Sequence, residues 1–380
     1  MSVDAGKYRI IIFIGISFVL FIGFGLFHYL NVINFNRFQI WRIKNKSLIA
    51  FNMNYSNLSI SQNIASLQNY STSNNPVNPK PESNLKENSL PVGPNEEIND
   101  NIFKSETKSK KVSILVLYAY HEAPWRAENL KFLMNKILFP PEKMEIFDFE
   151  YIFIINDFVL SVEIPQYKNV HIIKRENLGF DLCAWKTAIE YSIKQLNKTY
   201  SYYIFMNASV RGPFIPNYIK YTEWILPFLL MLNGQVKLVG TICQCGGVPI
   251  HIPGMFTMTD SIGFKIISPL LSCEYREKWH AIWHGELTWS RKIIENGYNI
   301  ACLSIWWRDW DFRKSEATNK RCNEWQNFGK TNGDNYFSGQ YDGGDLYPLE
   351  MVFFKTNRKI RDQDVSHLTK LYKKQSSLTY

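Results

Sequence analysis

The chain has 380 residues, a net charge of +9 and a hydrophobic fraction of 46%. That composition fits a globular domain with ample apolar material for one large core, plus extra segments. The basic residues are spread out and no Lys/Arg block dominates, so the charge does not argue for a nucleic-acid partner; small anionic substrates such as nucleotide diphosphates fit it equally well.

Residues 1–9 form a short tail. Residues 10–30, IIIFIGISFVLFIGFGLFHYL, contain no Asp, Glu, Lys or Arg. About 20 apolar residues cross a bilayer as a helix, so this segment is expected to be a transmembrane signal anchor. A cleaved signal peptide would carry a shorter apolar run ending in small residues, whereas this one ends in Phe27, His28, Tyr29 and Leu30. Arg37, Arg42, Lys44 and Lys46 follow the span and outnumber Lys7 and Arg9 before it, which leans slightly against a cytosolic N-terminus. The short tail and the sequons at Asn45, Asn54, Asn57, Asn69 and Asn197 weigh the other way. The expectation is a single-pass membrane protein of the Golgi or endoplasmic reticulum with a lumenal C-terminal domain. Residues 31–110 are rich in Asn, Ser, Pro, Lys and Glu without apolar periodicity, as in a flexible stem.

The globular part is residues 111–380. VSILVLYAY (112–120) reads as a buried parallel strand, and residues 124–138 follow with helical spacing at Leu130, Leu133, Met134, Ile137 and Leu138. Strands are expected at 149–157 and 169–177, then a helix at 181–196 with Leu182, Trp185, Ile189 and Ile193 on one face, then a strand at 201–206. Further strands are expected at 237–243 and 350–358, with a helix, a Gly297 stop and a strand across 285–303. The order β-α-β-β-α-β predicts an α/β domain with a mixed, mainly parallel, Rossmann-like sheet and flanking helices.

Ligands of open α/β sheets bind at the carboxyl ends of the strands. Three of these ends are polar: Asp157, the Asn177-Leu178-Gly179-Phe180-Asp181 segment, and Asn207-Ala208-Ser209. The segment holding Asn177, Gly179 and Asp181 precedes a helix, so its backbone N–H groups can face an anion. Asn207-Ala208-Ser209 is also a glycosylation sequon, but its place at a buried strand's end before Pro213 favours a cleft edge.

The stretch ENLGFDLCAWKTAIEYSIKQLNKTYSYYIFMNASVRGPF, residues 176–214, resembles family 2-like glycosyltransferases with the GT-A fold, and looks especially similar to the rhamnan-synthesis-F type. Asn-X-Gly-X-Asp before the helix and Asn-X-Ser-X-X-Gly-Pro after the strand carry the resemblance. GELTWSRKIIENGYNIACL (285–303) is similar to a later segment of such enzymes, so the likeness covers roughly residues 112–303. The resemblance implies transfer of a sugar from a nucleotide-sugar donor to a glycan, protein or lipid acceptor. It implies that Asp157, Asn177, Gly179 and Asp181 line the donor pocket and that Asn207 and Ser209 hold the places of an Asp-X-Asp pair. Such a pair holds Mn2+ or Mg2+ on the diphosphate through carboxylate oxygens, and Asn and Ser offer only neutral ones. Either the metal binds here with help from Asp157 or Asp181, or Arg211 neutralises the diphosphate. Glu286 is the candidate catalytic base, which would deprotonate the acceptor hydroxyl; its bland alternative is a helix-start Glu.

Other features compete. Asp309-Trp310-Asp311 is a literal Asp-X-Asp, with a charged aromatic loop as the plainer reading. His280, His284 and Glu286 raise a metal-dependent hydrolase, with helix packing the plainer role for the two histidines. The weakened Asp pair raises a catalytically silent, lectin-like protein on the same fold. Seven tryptophans between Trp279 and Trp325 suit an acceptor region or a Trp-rich core. Asp181 as a helix N-cap and Gly179 as a turn residue are their bland readings. The six cysteines, at positions 183, 243, 245, 273, 302 and 322, allow up to three disulfides; Cys243 and Cys245 are not expected to pair with each other, and no zinc spacing is present.

Overall fold

The computed structural model describes residues 111–245, 248–326 and 334–376. The expected anchor at 10–30 and stem at 31–110 lie outside the described residues, and no helix among those described is long and apolar enough to cross a membrane.

Two long strands, β1 (Val112–His121) and β2 (Phe147–Asn156), are buried at nearly every position. Successive side chains point to opposite faces, so strands like these need cover on both. On one face lie Leu115, Leu117, Ala119, Ile152 and Ile154, in one core cluster with Leu182, Trp185, Trp289 and Ile293. Tyr118 and Phe153 meet on the other face, their ring centroids 5.7 Å apart. There the helix α1 (Pro124–Ile137) is tied to the sheet by the Tyr151 hydroxyl, which donates to the Ile137 carbonyl at 2.8 Å.

The remaining sheet strands are β3 (Val170–Arg175), β4 (Tyr202–Asn207), β6 (Val236–Gly240), β7 (Phe256–Asp260) and β8 (Asn299–Cys302); β5 (Val210–Arg211) lies apart. The seven-stranded order is β3-β2-β1-β4-β7-β6-β8. All neighbours pair parallel except β7, which is antiparallel to both β4 and β6. The expected mixed, mainly parallel sheet is therefore present, and the strand that makes it mixed was absent from the sequence reading. β7 carries Thr257 and Thr259, both fully buried, and the Thr259 hydroxyl donates to the Lys237 carbonyl at 2.6 Å. Its polar content hides it from a search for apolar runs.

The helix α2 (Phe180–Tyr191) gives way to a π-turn at Ser192–Leu196, inside the span read as one helix. Trp185 packs between Phe205 and Trp289 with centroids 5.5 and 5.6 Å away. Truncating such a side chain costs about 3–5 kcal/mol. The helix α3 (Ser261–Ile267) starts at Asp260, whose carboxylate accepts from Gly263 N at 2.9 Å and pairs with Lys237 at 2.6 Å. A later run turns once at Lys278–His280, widens to π geometry over Ala281–Glu286 and continues as α4 (Leu287–Glu295). The helices α5 (Ser315–Gln326) and α6 (Asp362–Ser376) complete the described chain.

The strand expected at 350–358 shrinks to β9 (Phe354–Lys355), after a single helical turn at Pro348–Met351. β9 pairs antiparallel with β5 in a separate two-stranded ribbon, Val210 opposite Lys355 and Arg211 opposite Phe354. Gly212 permits the approach: a Cβ there would stand 2.4 Å from the Val352 carbonyl oxygen, at a φ of +157° that other residues rarely adopt.

Two disulfides form, Cys183–Cys273 and Cys245–Cys322, while Cys243 and Cys302 are buried free thiols. Burial and the neighbouring Cys302 thiol push the Cys243 thiol well up, so it is a poor nucleophile at neutral pH. Alkylation of the native protein should therefore leave both thiols unmodified, and unfolding without reductant should expose two sites per chain by mass. Replacing Cys183 and Cys273 by Ala together should cost about 4–5 kcal/mol in a denaturant titration, because the bond closes a loop of 90 residues.

Candidate active site

β4 ends at Asn207, and both ends of that side-chain amide are occupied. Asn207 Nδ2 donates to Asp181 Oδ2 at 2.8 Å. Asn207 Oδ1 accepts from Ser209 N at 3.0 Å and Ser209 Oγ at 2.6 Å. The second pair closes a tight Asx turn that bends the chain out of the strand. An amide committed in this way is not an open glycan acceptor.

Asp181 lies in the first turn of α2 and is not its cap. The cap is Gly179, left-handed at φ 66°, with no side-chain hydrogen bond. Asp181 reaches across to the strand end instead. Burial pushes its carboxyl up to about 6; the Asn207 amide pulls it back, and Glu286 raises it further. Gly179 has a packing role as well as a turn role, since a Cβ there would sit 2.7 Å from Cys183 Cβ and 3.0 Å from Cys273 Cα. The disulfide thus fixes the loop that carries Asn177.

Asp157 and Asn177 form the exposed rim. Asn177 N donates to Asp157 Oδ1 at 3.2 Å, and Asp157 Oδ2 pairs with His121 Nε2 at 2.7 Å. Arg126 Nη1 lies 2.7 Å from His121 Nδ1, which assigns the proton to Nε2 in the neutral ring. Behind the rim, Arg175 donates to Asn156 Oδ1 at 2.6 Å and holds the Leu178 carbonyl.

Glu286 closes the π-turn, a distortion that recurs at functional sites. Helix flanks it on both sides, so it is not a helix-start residue stabilised by free N–H groups. Gly285 lets the turn press against α2, because a Cβ there would fall 2.1 Å from Leu182 Cδ1. The Glu286 carboxylate accepts the Gly254 N–H. Burial pushes Glu286 up, and the Gly254 N–H, Lys355 and Lys278 work against that rise. Glu286 and Asp181 lie close enough for one charge to shift the other. The structure therefore brings Asp157, Asn177, Gly179, Asp181, Asn207, Ser209 and Glu286 to one end of the sheet.

Arg211 does not join them. Its Nε donates to Asn129 Oδ1 at 2.9 Å, its Nη1 to Thr369 Oγ1 at 3.3 Å and its Nη2 to Glu128 Oε2 at 2.9 Å. It is a buried cross-link between β5, α1 and α6, with a donor on each of its three nitrogens engaged. The alternation of side chains along a strand turns it away from the residues on either side. Lys355, opposite Val210 in the ribbon, takes the other face and reaches the field of Glu286. Sequence reading missed it, although the apolar run ending at Lys355 was the signal.

The literal Asp-X-Asp lies at the wrong end of the sheet. Asn299, at the start of β8, donates to the Trp310 carbonyl at 2.9 Å, and Asp311 is paired with Arg313 at 2.8 Å. His280 and His284 have ring centroids 5.8 Å apart, beside the exposed Trp279 and Trp283, whereas the Glu286 carboxylate turns inward to Gly254. Among the described residues no group of three or more His, Cys, Asp or Glu is placed to hold a metal ion. Of the clustered tryptophans, Trp289 and Trp307 are core and Trp279 and Trp283 are exposed.

The strand-end donors can be tested against a divalent cation directly. Asn207 Oδ1 already accepts two hydrogen bonds, Ser209 Oγ donates to it, and Asp181 is a carboxyl with a raised pKa that holds the amide. Hard cations favour several ionised carboxylate oxygens, so this donor set does not fit one as arranged.

No protein-family model matches the chain, and no curated protein matches it. Solved structures similar to it include a mannosyltransferase from Pyrobaculum calidifontis in complex with GDP-Man and Mn2+, at 13% identity and a TM-score of 0.31, the match covering 51% of this chain and 55% of that one. Another is a glycosyltransferase involved in the glycosylation of the major capsid of PBCV-1, at 11% identity and a TM-score of 0.28, covering 50% of this chain and 81% of that one. The match thus spans about half the length of the mannosyltransferase.

The shift at Asp181 gives a stability test. A carboxyl raised from 3.8 to about 6 favours the folded state fully below its unfolded pKa, and that contribution is lost as pH rises through about 6. Wild-type Tm should therefore carry a falling component between those two values. Asp181→Asn keeps an oxygen for the Asn207 amide and removes the titration, so the fall should flatten in thermal melts across that window.

Proposed function

We propose that this chain is a glycosyltransferase that moves a sugar from a nucleotide-sugar donor to an acceptor hydroxyl by direct displacement. The observation that carries the reading is Glu286, a half-buried carboxylate whose pKa is pushed up by burial, at the strand ends beside Asp181 and the Asn207 turn. The resemblance of residues 176–214 to family 2-like enzymes supports it. Glu286 takes the proton of the acceptor hydroxyl as the oxygen bonds to the anomeric carbon. The bond from that carbon to the diphosphate breaks, and its electron pair leaves with the diphosphate. Raising the pKa of a general base toward the working pH strengthens it as a proton acceptor while leaving it ionised. Asp157 and Asn177 form the rim over which the nucleotide would lie, and Asp181 and Asn207 hold the floor.

The same proposal places the enzyme in the Golgi or endoplasmic reticulum as a single-pass membrane protein, anchored through residues 10–30. A glycan, protein or lipid presented in the lumen would be its acceptor. Asn197, on an exposed turn at φ 47°, is the sequon of the described domain best placed for modification.

The test is turnover of a panel of nucleotide sugars by the full chain. Wild type should release nucleoside diphosphate from one of them, and Glu286→Gln should lower kcat at least about a hundredfold with KM for the donor little changed, as expected for loss of a general base. The acid limb of kcat/KM should lie above the ordinary carboxylate range and vanish in Glu286→Gln. Donor binding without any turnover would establish the silent, lectin-like protein instead. Retention of activity by Glu286→Gln would remove the base from the mechanism.

A further inference from the structure

We propose that Lys355 is the cation that receives the leaving diphosphate, doing at this site what a divalent metal would otherwise do; this rests on the donor-dependent transfer proposed above.

The ribbon positions it. Ser209 O accepts the Thr356 N–H at 2.9 Å, and Lys355 stands opposite Val210, the residue that follows Ser209. The segment that ends β4 and the segment that carries Lys355 are thus one structural unit. Lys355 and Arg211 sit at adjacent positions of the ribbon, so period-two alternation sends them to opposite faces. Arg211 goes to α1 and α6; Lys355 goes to the face of Glu286.

Its charge is incompletely matched. The Lys355 side chain is only 17% exposed, and its ion pair with Asp334 Oδ2 is long, at 3.7 Å. Asp334 is already occupied by Arg358 Nε at 2.9 Å, Tyr336 N at 3.0 Å and Gln244 Nε2 at 3.1 Å. A nearly buried ammonium whose carboxylate partner is 3.7 Å away, with the Tyr336 ring centroid at 5.8 Å, has donors left over, and a diphosphate oxygen satisfies both charge and hydrogen bonding. The other cations near the site are less suited. Arg126 is held on His121, and Lys278 is exposed, where solvent and salt screen its charge. A cation on the leaving group and a base on the acceptor serve opposite sides of a displacement, and Lys355 and Glu286 lie near enough for each charge to shift the other. Burial pulls the pKa of the Lys355 ammonium down, Asp334 and Glu286 pull it back up, and the diphosphate leaves as an anion that takes no proton from it.

The experiment is calorimetry of the full chain with inorganic pyrophosphate in excess chelator, then with GDP and UDP. Wild type should bind pyrophosphate without metal. Lys355→Met should weaken that binding at least tenfold with an unchanged circular dichroism spectrum, and Lys355→Arg should restore part of it. Lys292→Met, at an exposed helix position paired with Glu295, should leave it unchanged and controls for net charge. Equal affinity in wild type and Lys355→Met, or binding that needs Mn2+ or Mg2+, would overturn the role of Lys355 while leaving the transferase reading intact. Wild type that binds neither pyrophosphate nor either nucleotide with or without metal would overturn both.

Discussion

The Asn207 side chain is the constraint from which the site follows. Its amide group can serve two partners at once, and here the nitrogen holds Asp181 while the oxygen holds Ser209. The first bond fixes the start of α2 against the end of β4. The second turns the chain sharply, so that Val210 and Arg211 leave the sheet and pair with β9 instead. A carboxylate in place of Asn207 could not donate to Asp181 and would set two like charges against each other. The neutral amide is therefore what lets a carboxyl, a strand end and a ribbon meet at one point.

The electrostatics of the cleft follow from the same arrangement. Asp181 and Glu286 are both raised, burial being the main cause for each, but their surroundings differ. Asp181 is bound to an amide and has a structural partner. Glu286 has a backbone N–H on one side and positive charge from Lys355 and Lys278, which oppose the rise that burial causes. Two carboxyls pushed in the same direction are thus separated by their partners, one tied to a side-chain amide and one to a backbone N–H.

Much of this was legible in the sequence. The long apolar runs mark β1, β2 and β4, and the carboxyl-end rule gathers Asp157, Asn177, Asp181 and Asn207 from the sequence alone. What stayed hidden has physical reasons. β7 is short and carries buried threonines that are satisfied by hydrogen bonds, so no apolar run marks it. Arg211 is near the site along the chain but faces away, because one step along a strand reverses the side chain. Lys355 comes from more than 140 residues later, and only strand pairing reveals that it belongs beside Ser209. The Asp309-Trp310-Asp311 motif shows the converse: its composition suits a metal, while its position at the start of β8 removes it from the strand ends.

The C-terminal segment is therefore part of the site rather than an appendage to it. Gly212 allows the backbone of 352–353 to approach, Phe214 N donates to the Val352 carbonyl at 2.7 Å, and Thr356 bonds Ser209. On the far side, the Cys183–Cys273 bond ties the loop of Gly179 to the segment leading into the Glu286 turn. Three stretches distant in sequence thus converge: the Asn177–Asp181 loop, the Asn207 turn with its ribbon partner, and the π-turn. Lys355 arrives on a separate ribbon, so the positive charge near Glu286 does not depend on the register of the main sheet. On the proposed reading, that separation is what would let a strand end with only neutral donors serve a diphosphate.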